Sequence, residues 1–181
     1  MNKAQVIVVI ILLLCAKAWG LDEFSGIKCG SDVPRALIGK RFVNGRVVVI
    51  EAAHKDIGLQ FLGGTEISET LFLNSLRICG AQYEVLENTK SKIIRDVIPF
   101  PTHSRSSPEA IGGCQIDGKD SPDAIVAVLD NSAGYDVMHM SHVLKATSAW
   151  KVDETHEKFH QLTASHVDCP AQTVVTLDGG P

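Results

Sequence analysis

The chain has 181 residues, 17 of them basic and 21 acidic, for a formal net charge of −4. That balance, with no run of Lys or Arg, excludes the clustered positive charge that phosphate recognition needs, so no nucleic-acid partner is expected. The length suits one ordinary domain.

The N-terminus speaks to the compartment. Lys3 precedes an unbroken apolar run from Val6 to Cys15, and Ala16-Lys17-Ala18 then offers small residues at −3 and −1 of a cleavage site. A basic start, a short apolar core and a small-x-small site form a secretory signal. The run falls short of the roughly 20 apolar residues of a membrane span. Residues 1–18 are therefore expected to be removed, leaving Trp19 as the first mature residue, or Leu21 if the site Ala18-Trp19-Gly20 is used. Lipid anchoring at Cys15 is the competing reading, opposed by the bulky Leu14 where a bacterial lipoprotein signal has a small residue. The mature chain is expected to be secreted or periplasmic, with no membrane span.

Four cysteines remain after processing: Cys29, Cys79, Cys114 and Cys169. An even number in an exported chain predicts two disulfides. There is no Cys-x-x-Cys pair, so a cysteine zinc site or redox motif is not expected. Of the three connectivities, Cys29 with Cys79 and Cys114 with Cys169 is preferred, because each closes a loop within one half of the chain.

Residues 31–39 carry the signals of a short helix, with Ser31 or Asp32 as cap, Pro34 in the first turn and Gly39 just past the end. Asn44-Gly45 is a tight-turn pair ahead of the β-branched run 46–51, read as a buried strand, and together they predict a hairpin over 40–51. Residues 56–64 follow no clear period and are read as irregular, while 68–76 fits helix or strand. Residues 77–79, 83–87 and 92–98 read as strands, the last two joined by the polar turn 88–91. Prolines, serines and glycines mark 99–113 as a surface loop.

Residues 124–129 form another buried apolar run, ended by Asp130-Asn131-Ser132-Ala133-Gly134. Residues 145–152 lead into an acidic, histidine-rich stretch, 153–169, and the tail 171–181 is expected to fray. Leu76-Arg77-Ile78 followed by Tyr83 and Leu86 resembles Trp150-Lys151-Val152 followed by Phe159 and Leu162, with two residues more between them. If the halves match, 153–157 is a turn between strands. The expected fold class is α+β: a single small β-rich domain over 19–170, of short antiparallel strands with one or two short helices, stabilised by disulfides.

His156-Glu157-Lys158-Phe159-His160 has the form H-E-x-x-H, and His166 lies six residues further on. Over 156–166 the chain resembles the metzincin zinc-protease motif. The resemblance implies a helix on which His156 and His160, with His166, would ligate zinc while Glu157 acts as general base on the metal-bound water. Three features depart from it. Thr163 stands where the pattern has glycine, no methionine follows His166, and Asp153, Glu154, Glu157 and Lys158 equally suit a solvated turn. His103, His139 and His142 fall in polar loops, and no G-x-S-x-G elbow or phosphate-binding glycine loop is present. The leading expectation is an exported binding or interaction protein, of inhibitor or envelope-accessory type, with an unknown protein or small-molecule partner and no cofactor. A small secreted zinc metallopeptidase using His156, Glu157, His160 and His166 is the alternative.

Overall fold

A computed structural model describes residues 24–42, 51–101, 107–135 and 143–170, and the backbone of 174–175. Two antiparallel sheets hold most of these residues. The first is a four-stranded meander of β1 (Gln60–Ser68), β2 (Leu71–Ile78), β3 (Ala81–Asn88) and β4 (Ile93–Phe100). Side chains alternate across a strand, and here both faces of β2 and β3 are buried over most of their length. Leu71, Leu73 and Leu86 point one way, and Leu76, Ile78 and Val85 the other. A strand buried on both sides has no solvent face to set up an alternation, which is why 68–76 shows no clean period.

The outer face of this sheet is covered by α1 (Val33–Leu37) together with Phe24, Ile27, Phe42, Ile57 and Leu59. The helix forms where its signals stand. The Asp32 carboxylate accepts the Arg35 amide at 3.1 Å, and Pro34 occupies the first turn, where its missing N–H costs nothing. The chain then runs along β4, with the Gly39 amide on the Ile94 carbonyl and the Phe42 amide on the Lys92 carbonyl. Cys29 is bonded to Cys79, which ties the segment before α1 to the β2–β3 turn. In that two-residue turn Cys79 and Gly80 both have positive φ, 54° and 79°, as the right-handed twist of a tight hairpin demands.

The second sheet contains β5 (Glu109–Ile111), β6 (Gln115–Ile116), β7 (Lys119–Asp120), β8 (Ile125–Leu129), β9 (Val143–Asp153), β10 (Lys158–Gln161), β11 (Val167–Pro170) and β12 (Val174–Val175). Its order is β12-β5-β8-β9-β11-β6-β7, and β10 shares an edge of β9 with β11, the two lying at opposite ends of that long strand. Val126, Val128, Val152 and Phe159 pack against Leu71, Leu73, Leu86 and Phe100, which joins the two sheets face to face. On its other face Ala110, Ile125, Ala127, Leu129 and Leu144 pack with Val167 around the Cys114–Cys169 disulfide. Both disulfides thus have the expected pairing.

The architecture is richer in strand than an α+β label suggests, with only short helices beside the sheets among the described residues. Residues 56–64 are not irregular throughout: a 3-10 turn (Lys55–Ile57) leads into β1. The stretch 99–113 contains the end of β4 and all of β5. The expected strand 46–51 lies outside the described residues apart from Glu51, which is helical, and so does the turn Asn44-Gly45. Within the tail, Val174–Val175 pair with β5. The likeness between halves is one of hairpin form, with loops of two and four residues. The register differs, since Leu76 faces Tyr83 whereas Val152 faces Phe159.

Candidate functional site

The residues of the H-E-x-x-H stretch lie on a hairpin and not on a helix. Strand β9 ends at Asp153, which pairs with Lys158, and residues 154–157 form the loop. Asp153 organises it. One of its carboxylate oxygens accepts the His156 amide at 3.0 Å, and the other lies 2.8 Å from His156 Nδ1 and 3.2 Å from His160 Nε2. The His156 amide first, and then its ring, hold the Asp153 carboxyl well below the usual carboxylate range. Both imidazoles are more than half exposed.

The helical arrangement that would put His156 and His160 one turn apart is therefore replaced by two rings sharing one carboxylate. His166 has a different partner. It closes a 3-10 turn (Ala164–His166), and its Nδ1 lies 3.0 Å from Asp117 in the β6–β7 turn. Among the described residues no three His, Cys, Asp or Glu side chains are grouped to hold a metal ion.

Glu157 is not the solvated turn carboxylate that the polar stretch suggests. Its side chain is only 17% exposed. The backbone there has φ 54°, and the carboxylate reaches the first sheet, where it accepts from Asn88 Nδ2 and pairs with the Arg95 guanidinium. The next contact continues the join: the Phe159 amide donates to Asp96 at 2.9 Å. Arg95 and Asp96 can both reach because β4 bulges at this point. Leu86 faces Asp96 while Glu87 faces Ile94, so Arg95 is the extra residue. The hairpin is thus fastened to the first sheet by Arg95–Glu157, by Asn88–Glu157, by Asp96 and by the buried Phe159 ring. Its remaining side chains at Glu154, Thr155, His156, Lys158, His160 and Gln161 face solvent.

No family description, curated protein or solved structure matches the chain.

A second group of polar residues belongs to no sequence motif. Glu84 is fully buried between the sheets, where it accepts from Ser75 Oγ at 2.8 Å and Gln82 Nε2 at 3.0 Å. Burial, and then the charge of Glu109 on the second sheet, push its carboxyl well above the usual range, while the two hydrogen bonds oppose this. Glu109 is itself buried and pushed up to about 7 by desolvation. On the opposite face of the first sheet, buried Asn74 donates to Glu87 at 3.2 Å. The signal was readable: Asn74, Ser75, Gln82 and Glu84 sit beside the apolar residues of β2 and β3, and a polar residue buried in such a strand needs a partner.

Proposed function

We propose that this is an exported binding or interaction protein, of inhibitor or accessory type, which presents the β9–β10 hairpin as its recognition loop. The observation that carries this reading is the placement of Glu157. The carboxylate that a peptidase would need as a base is engaged by Arg95 and Asn88, and it serves to fasten the hairpin. The fastening leaves a row of polar side chains exposed on a frame closed by two disulfides. A loop held by a rigid scaffold recognises a partner without the entropy cost of ordering itself.

The test is metal content and hydrolysis on the mature, oxidised protein. The expected result is no stoichiometric zinc, no change in melting temperature on adding a chelator, and no cleavage of a mixed peptide library. A bound zinc that binds only the folded state would stabilise it by about 4 kcal/mol at a thousandfold excess over Kd. Chelator-sensitive peptide cleavage that is lost in His160→Ala would overturn the proposal in favour of a zinc metallopeptidase. Export is checked separately by mass spectrometry of the secreted product, with a mature N-terminus at Trp19 or Leu21 expected. Retention of residues 1–18 would count against it.

A further inference from the structure

We draw no further inference here: the strongest candidate, the Glu84 and Glu109 carboxylates buried between the two sheets, rests on their protonation alone, and nothing else at that place in the fold points to a ligand or a moving part.

Discussion

At the scale of single residues, the Arg95–Glu157 pair joins a half-exposed guanidinium to a carboxylate that is mostly buried, with side chains 43% and 17% exposed. Fully exposed pairs contribute between nothing and about 1 kcal/mol, since water and salt screen them. The buried side of this pair and the Asn88 contact place it at the upper end of that range. Glu157→Gln, which keeps an oxygen for Asn88 but loses the charge, is expected to lower stability by about 1 kcal/mol in urea unfolding. A double-mutant cycle with Arg95→Met should return a coupling of similar size. A coupling indistinguishable from zero would show that the hairpin is held by Phe159 and Asp96 without help from the ion pair. The backbone can be tested separately, because a non-glycine residue at positive φ costs about 1 kcal/mol. Glu157→Gly should therefore recover part of what loss of the side chain removes.

At the scale of elements, β1 depends on a glycine. A Cβ at Gly64 would lie 2.5 Å from the Phe72 ring and 2.7 Å from the Leu73 carbonyl oxygen. The ring can shift but the paired backbone cannot, so Gly64→Ala is expected to cost about 1–3 kcal/mol as overpacking. A melting temperature unchanged from wild type would mean that β1 gives way more easily than its pairing implies. The Cys114–Cys169 bridge closes a loop of 55 residues, for which chain entropy gives about 4 kcal/mol. Replacing both cysteines by alanine should remove most of that in guanidinium unfolding, and a loss below about 1 kcal/mol would contradict the entropic account. These elements also show what the sequence could reveal. Helix α1 and the 88–91 turn were legible because their causes are local, a capping Asp32 and a polar turn, and the cysteine pairing because each bridge stays within one half of the chain. Asp117-Gly118, at φ 52° and 73°, carried the same kind of turn signal and forms the β6–β7 turn. Strand β1 was not legible, because Gly63, Gly64 and two register shifts break its alternation. The spacing of His156 and His160 misleads for a different reason. Four residues apart means one turn apart only on a helix, and what makes this stretch a hairpin is Asp153 below it and Asp96 across from it, 57 residues before Asp153.

At the scale of the whole molecule, Glu84 and Glu109 come from different sheets and are both buried where the sheets meet, so their protonation is linked to the stability of the entire fold. The Glu109 carboxyl is pushed up from 4.5 to about 7, and that of Glu84 is raised as well. A raised carboxyl means that the folded protein holds its proton more tightly than the unfolded chain does. Its contribution is fully present below the unfolded value and is lost as pH rises through the folded one. Asp153 and Asp130 have the opposite sign, because their carboxyls are held below the usual range; their contribution is present above the usual value and is lost as pH falls below it through the folded one. The two effects place maximum stability at about pH 4, between the ordinary Asp and Glu values. Guanidinium unfolding across pH 3–9 is expected to show stability falling as pH rises between 4.5 and about 7, the unfolded and folded values of Glu109. The displacement of Glu109 alone corresponds to about 3 kcal/mol over that window. Glu109→Gln is neutral at every pH, so it should flatten this decline, matching wild type most closely near pH 4 and exceeding it at pH 8. If Glu109→Gln keeps the wild-type slope and Glu84→Gln flattens it, Glu84 is the carboxyl whose protonation ties stability to pH in this window. If neither substitution changes the slope, the carboxylates between the sheets are not what ties this fold to pH.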